Sequence, residues 1–278
     1  MLDDFLAELE IDSNLFGREG LLKRIEALDR LDFFLGSAEP RSGVGVRRAV
    51  TMRARLDAAN AAVYDAVREE IRQGSVADVR QWLRSQRETE LPRPGLSYDS
   101  LDEIVSGLLR LHVPEMELPE LAEEMVFYQP TPARHILDLI EHLGLQETDR
   151  LIDFGAGMGH VSLLASMLSG CQSVGVEVQA AYVAAARRCA ADLGLERARF
   201  VAQDARDADL DWGTIFYLYT PFRGSMLAEV LRRLEEESRR RPMRIASLGP
   251  CTSEIAAQRW VRSVSTLEEG RVSLFEAG

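Results

Sequence analysis

The stretch DFGAGMGH, residues 153–160, decides how the rest of this chain is read. It follows the apolar pair Leu151 and Ile152, and it sets Gly155, Gly157 and Gly159 at alternate positions ahead of a helical pattern starting near His160. Glycine lacks a Cβ, so a chain with this spacing can turn sharply and bring its N–H groups against a ligand at the head of a helix. The same letters would also serve an ordinary strand-to-helix turn. The flanking sequence has to separate the two.

Downstream, SVGVEV closes a second apolar run at Glu177, 24 residues after Asp153, and ARFVAQD closes a third at Asp204. An acid about 20 residues beyond such glycines can accept hydrogen bonds from ribose hydroxyls. Either acid alone could instead cap the helix that follows it. Three successive strand ends carrying Asp153, Glu177 and Asp204 point to a nucleoside ligand. The fourth run is GTIFYLY, then helical SMLAEVLRRLEEESRR, then RIASLG, a short helical SEIAAQRW, and finally VRSVS and RVSLFEA around Glu-Glu-Gly. This alternation predicts parallel strands with helices on both faces, and the last pair, joined through TLEEG, predicts an antiparallel hairpin at one end. A doubly wound sheet binds ligands beyond the carboxyl ends of its strands, which is where these residues fall.

A nicotinamide enzyme would need G-x-G-x-x-G, with its third glycine at position 160, where this chain has histidine. Nor is there an obvious catalytic Tyr-Lys pair, because the sole lysine, Lys23, lies far upstream.

Residues 129–278 resemble a class I S-adenosylmethionine-dependent methyltransferase. LIDFGAGMG is similar to that family's D-x-G-x-G-x-G motif. The resemblance implies that Asp153, Gly155, Gly157 and Gly159 form the cofactor loop, that Glu177 binds the ribose, and that Asp204 with Ala205 faces the adenine. It also implies a seven-stranded Rossmann-like sheet with its last strand inserted antiparallel. FYQPTPARHILDLIEHLGL, residues 127–145, and GVEVQAAYVAAAR are similar to the non-SET histone-lysine methyltransferases and their bacterial relatives. That likeness implies that Tyr128, Gln129 and Thr131 lie over the methionine end of the cofactor. Thr131 and Pro132 also suit a helix N-terminus.

The stretch FYLYTPF falls where the class carries its fourth motif, beside the transferred methyl. Amino methyltransferases often have Asn or Asp there, then Pro-Pro-Tyr or Pro-Pro-Phe. Here Tyr219 and Thr220 offer hydroxyls to orient an acceptor and Phe222 offers an apolar wall. The missing Asn or Asp weakens the case for an exocyclic base amine. Methyl transfer from a sulfonium is an in-line displacement needing alignment and a dry site, and a base only where the acceptor arrives protonated. No His or Glu stands in FYLYTPFRG. His160 next to the loop, and His112, His135 and His142 elsewhere, read as packing or surface residues.

Residues 1–127 have another grammar. Leu21, Leu22, Ile25, Leu28 and Leu31 keep a helical period with Gly36 as a stop, and residues 47–72 contain neither Gly nor Pro and predict a long helix. VADVRQWLRSQRE and SYDSLDEIVSGLLRLH predict two more, and LPRPGLS, residues 91–97, predicts a loop. We therefore expect an all-helical region, residues 1–127, serving as lid, recognition element or dimerisation surface, or as plain scaffold. Residues 128–278, which carry the sheet, are expected to be the methyltransferase domain.

Composition bounds the partners. The 278 residues are 46% hydrophobic and 28% charged, enough for a sizeable core. No apolar run approaches the roughly 20 residues of a membrane span, and the acidic start MLDDFLAELE lacks the features of a secretion signal. Cys171, Cys189 and Cys251 are too scattered for a disulfide framework or a zinc site, so a cytoplasmic protein without a metal is expected. The net charge of -12 is a poor footprint for nucleic acid. Residues 41–93 reverse the sign, with 11 Arg against 7 acids, as a solvated helix face or a local basic surface would. The expected activity is methyl transfer from S-adenosyl-L-methionine to a protein side chain or small molecule. An RNA methyltransferase and a non-catalytic S-adenosylmethionine sensor are the alternatives.

Overall fold

The computed structural model describes residues 2–36, 43–88, 95–112, 120–268 and 270–278. Five helices come first: α1 (Leu2–Ile11), α2 (Leu21–Gly36), α3 (Val44–Arg72), α4 (Val76–Glu88) and α5 (Ser100–Leu109). Of the expected loop at 91–97, residues 91–94 lie outside the described residues.

The 29 residues of α3 run about 43 Å at 1.5 Å per residue, and the two ends of this helix join different cores. Its first half contributes Ala49, Met52 and Leu56 to a distal cluster with Phe5, Leu6 and Leu9 of α1 and Ala27 and Leu31 of α2. Its second half contributes Val63, Val67 and Ile71 to the main core. Arg24 ties the two together, fully buried, with its Nε donating to Asn60 Oδ1 at 2.6 Å and its Nη1 donating to the carbonyls of Leu15 and Gly17.

Helix α6 (Ala133–Leu143) leads into the sheet, whose elements alternate as the sequence predicts: β1 (Arg150–Phe154), α7 (His160–Ser169), β2 (Gln172–Glu177), α8 (Ala180–Leu193) and β3 (Ala198–Ala202). Then come β4 (Ile215–Tyr219), α9 (Gly224–Ser238), β5 (Met243–Leu248), α10 (Cys251–Ala256), β6 (Val261–Ser263) and β7 (Ser273–Ala277). The strand order is β3-β2-β1-β4-β5-β7-β6. Strands β1 to β5 are parallel, and β7 runs antiparallel between β5 and β6. This is a seven-stranded Rossmann-like sheet with a helical region ahead of it. Direction of strand progression reverses between β1 and β4, the place where such sheets open a ligand crevice.

The two-residue period of a strand divides the core. Ile215 and Tyr217 of β4 face a layer built from α6, α7 and α8 together with α3, α4 and α5, whereas Phe216 and Leu218 face α9 and α10. The helical region and the sheet thus share one continuous apolar layer.

One local expectation is corrected. Thr131 does not cap α6: Pro132 holds the N-cap position without a side-chain bond. The Ala133 amide donates instead to Asp102 Oδ1 of α5 at 2.7 Å, and the same carboxylate accepts from Asp99 N at 2.8 Å. Burial pushes Asp102 up to about 6. A side chain from another helix therefore does the work that the local sequence assigned to Thr131.

Because the distal cluster is separate from the core beneath the sheet, Leu31→Ala should cost about 2–5 kcal/mol locally. Amide exchange in α1 should accelerate, while calorimetric binding of S-adenosylhomocysteine should stay at the wild-type value.

Candidate active site

A cavity of about 1140 Å³ opens at the carboxyl ends of β1, β2 and β4. Its floor is formed by Asp153, Gly155 and Ala156; one side by Glu177, Val178, Gln179 and Tyr182; the other by Tyr217, Tyr219, Thr220 and Phe222. A segment spanning residues 120–131 crosses over it and contributes Met125, Val126, Phe127, Tyr128, Gln129 and Thr131.

The glycine loop does two jobs. Gly157 sits at φ +53, and its N–H donates to Glu177 Oε2 at 2.9 Å. A Cβ at this position would overlap the ring of Tyr128, which lies over the loop. Gly159, at φ +86, faces away from the cavity, and a Cβ there would run into Phe200 and Ala186. Gly159 therefore lets α7 sit against β3 and α8, whereas Gly155 and Ala156 line the cavity.

Glu177 is 8% exposed, its Oε1 taken by the Gln179 amide at 2.8 Å and its Oε2 by Gly157. Asp153 is buried at the floor, where the Ser162 hydroxyl donates to its Oδ2 at 3.1 Å. Desolvation raises its pKa to about 7, the Ser162 bond opposes that, and the charge of Glu177 adds to it. Asp204 does not line the cavity. Its carboxylate caps the turn at 205–207, accepting from Arg206 N at 2.8 Å and from Arg206 Nη2 at 2.7 Å, and this holds it below the usual carboxylate range. Its neighbours Gln203 and Ala205 do line the cavity.

Tyr128 is fixed on three sides. Its ring lies over Gly157, stands 4.8 Å from the Tyr182 ring, and its hydroxyl meets His160 Nδ1 at 3.2 Å. Burial lowers His160 to about 4, so it is neutral at physiological pH. Thr131 Oγ1 and the buried Tyr217 hydroxyl meet at 3.2 Å. Gln129 lines the cavity beside them.

On the β4 side the three residues differ. Phe222 is a buried wall. Tyr219 is half-buried, and desolvation raises it to about 12, with Tyr98 adding to the shift, so its hydroxyl keeps its proton near neutrality. Thr220 has φ +39, and its hydroxyl is already engaged: it donates to Leu248 O at 3.1 Å and accepts from Cys251 N at 3.1 Å. It ties the tip of β4 to the start of α10.

Sequence reasoning missed Tyr182, Gln179 and Gln203, and also Tyr217, hidden mid-strand. Gln179 and Tyr182 follow Glu177 by two and five residues, which is a usable signal. Tyr217 carries none, since only the sheet places it under Thr131. Among the described residues no group of His, Cys, Asp and Glu could hold a metal ion, and no helix is long and apolar enough to cross a membrane.

Residues 124–204 match the family model described as histone methylation protein DOT1. No curated protein matches the chain. Among solved structures, an RNA methyltransferase from Salinibacter ruber in complex with S-adenosyl-L-homocysteine is 24% identical, over 54% of this chain and 92% of that one, at a TM-score of 0.45. The tRNA (uracil-54, C5)-methyltransferase of Pyrococcus abyssi is 16% identical, over 54% of this chain and 39% of that one, at 0.42. The C-terminal domain of precorrin-6Y C5,15-methyltransferase from Rhodobacter capsulatus is 17% identical, over 55% and 93%, at 0.40. The strand order, the glycine loop with Glu177 at the next strand end, and the family-model match over that segment define a class I S-adenosylmethionine-dependent methyltransferase. The cavity fits its cofactor: a buried carboxylate at the end of β2 faces a glycine loop that opens onto a space of sufficient volume.

Asp153 yields a pH test on the protein without cofactor. Below its ordinary value of 3.8 the carboxyl is protonated in both folded and unfolded chains. As pH rises toward about 7 the unfolded chain releases a proton that the folded chain retains, so the folded state loses stability across that window. Urea unfolding of Asp153→Asn should lack this decline, its stability relative to wild type rising from pH 4 to pH 7.

Proposed function

We propose that this chain methylates a protein side chain or small molecule whose reacting group is neutral or cationic. The acceptor-side rim of the cavity carries this reading. Among the described residues, Glu120, Glu123 and Glu254 stand there against a single cation, Arg223. A phosphate backbone would be repelled, and a basic acceptor drawn in. The arginine-rich stretch supports the same reading. Arg48 pairs with Asp3 and Glu10, Arg53 with Asp32, Arg72 with Glu69, Arg84 with Glu141 and Arg87 with Asp138, so much of its charge is spent within the chain.

The glycine loop would hold the cofactor in this reading. Glu177 receives the ribose hydroxyls, Gln203 and Ala205 border the adenine, Tyr182 flanks the nucleoside, and Tyr128, Gln129 and Thr131 cover the methionine end. Asp204 acts through its turn, holding Ala205 in place, and Gly159 acts through packing. When bound, S-adenosylmethionine supplies a methyl on a sulfonium, already activated for displacement. An acceptor lone pair would take that methyl in line, the carbon–sulfur bond breaking as the new bond forms.

The chain's residues align this displacement and keep water out. Phe222 walls the acceptor, the Tyr219 hydroxyl donates to it or to the group carrying it, and Thr220 sets the angle of the strand tip. Neither Tyr219, held protonated, nor the His160 Nδ1 that meets Tyr128 serves as a base. An acceptor that loses its proton to water before reaction should react at a rate that rises with pH according to its own pKa. Leu96, from the segment ahead of α5, also lines the cavity, and Tyr98 donates to Pro130 O at 2.8 Å. We assign the helical region, residues 1–127, to substrate recognition on that basis, and residues 128–278 to catalysis.

The deciding measurement is transfer of label from methyl-labelled cofactor into cell lysate, with the products sorted by protease, nuclease and size. Label should fall in protease-sensitive or small-molecule fractions; a nuclease-sensitive product would overturn the acceptor reading. Binding of S-adenosylhomocysteine without any transfer would mark a sensor. Tyr219→Phe should lower kcat/KM about two- to tenfold. Glu123→Gln and Glu254→Gln should each raise the half-saturating acceptor concentration about two- to fivefold, more at low salt.

A further inference from the structure

The segment over the cavity is fastened at two places by different means. At its far end Tyr98 holds Pro130 O, and Asp102 holds the Ala133 amide. At its near end it forms a short antiparallel pairing with the chain beyond β4. Met125 bridges Phe222, Val126 N donates to Pro221 O at 3.1 Å, and Arg223 N donates to Glu124 O at 2.9 Å.

Glu124 completes that near fastening. Its Oε1 accepts from Ser225 N at 2.9 Å, and its Oε2 accepts from the Ser225 hydroxyl at 2.7 Å and from Met226 N at 2.9 Å. Helix α9 has no cap of its own: Arg223 at the N-cap makes no side-chain cap bond, and the first turn holds no acid. Glu124 supplies both the acceptor and the negative charge from about 100 residues away, as a helix N-terminus requires. Gly224, at φ +60, is the matching piece, because a Cβ there would overlap Glu124 Oε1. These bonds hold the Glu124 carboxyl below the usual range, the Ser225 hydroxyl first.

We propose that Glu124 is the positioning residue of the acceptor wall: by capping α9 across the chain it holds Met125 against Phe222 and Val126 against Pro221, and so fixes the width of the acceptor pocket. It touches no reacting atom. The inference rests on the acceptor entering between this segment and the tip of β4. Since Tyr128 is steadied by His160, Tyr182 and the far fastening, loss of Glu124 loosens the acceptor side and spares the cofactor side.

The test uses the full chain, clarified cell lysate as the acceptor source, and S-adenosylhomocysteine as the cofactor-side probe. Glu124→Ala should raise the half-saturating amount of lysate at least about tenfold, with the plateau rate and the S-adenosylhomocysteine Kd within about threefold of wild type. Amide exchange should accelerate at Val126 and Arg223 and stay unchanged at Ala133. Glu124→Gln keeps one acceptor oxygen and should show the same pattern at smaller size, which carries the test if the alanine variant does not fold. Unchanged transfer despite loosened amides, or a fall in S-adenosylhomocysteine affinity parallel to the fall in transfer, would overturn this inference alone. A wild-type chain that binds S-adenosylhomocysteine yet labels no fraction would overturn the acceptor reading and this inference with it.

Discussion

The hydrogen bond from the Gly157 amide to the Glu177 carboxylate joins the turn after β1 to the end of β2, and most of the site is arranged around it. A buried carboxylate needs donors, and here the backbone amides of Gly157 and Gln179 supply them. That requirement holds the glycine loop close to β2 and leaves a surface too tight for any side chain. Tyr128 covers that surface, and its ring in turn fixes His160 and meets Tyr182. Satisfying one buried charge thus determines the position of the loop, of the segment above it and of the first residue of α7.

The acceptor side is built on another principle. Its hydroxyls and carbonyls are mostly spent on holding the chain together. Thr220 joins β4 to α10, and the backbone of residues 124–126 pairs with that of 221–223. What is left facing the space is aromatic and apolar surface with carboxylates at the rim. Displacement at a sulfonium suits such a site, because the departing sulfur becomes neutral and needs no charge to stabilise it.

The helical region is coupled to this chemistry through packing. The second half of α3 and helices α4 and α5 contribute to the same apolar layer that lies under β4 and α7, so they are part of the scaffold that carries the site. The distal cluster of α1, the later part of α2 and the first half of α3 is separate, and it is connected to the main core through α2, whose Leu21 and Ile25 lie in that core, through the buried Arg24 and through the continuous backbone of α3. Helices α2 and α3 thus link a neighbour of the site to an outlying unit.

The sequence by itself determined the sheet, its crossover logic and the residues at its first two strand ends. Local periodicity, glycine spacing and the acid at Glu177 are all encoded over short distances, where backbone sterics act directly. It also led to Tyr128, Phe222 and Ala205 at the cavity. The tertiary structure alone decided what each polar group touches. Thr131 read as a helix cap and instead meets Tyr217; Thr220 read as an acceptor-orienting hydroxyl and is spent on Leu248 and Cys251; Asp204 read as a ligand residue and caps its own turn. Asp102 and Glu124 perform the capping that local sequence could not reveal, since their partners lie 31 and about 100 residues away. A hydrogen-bonding side chain satisfies itself with whatever donor the fold brings near, and only the packed chain fixes which donor that is.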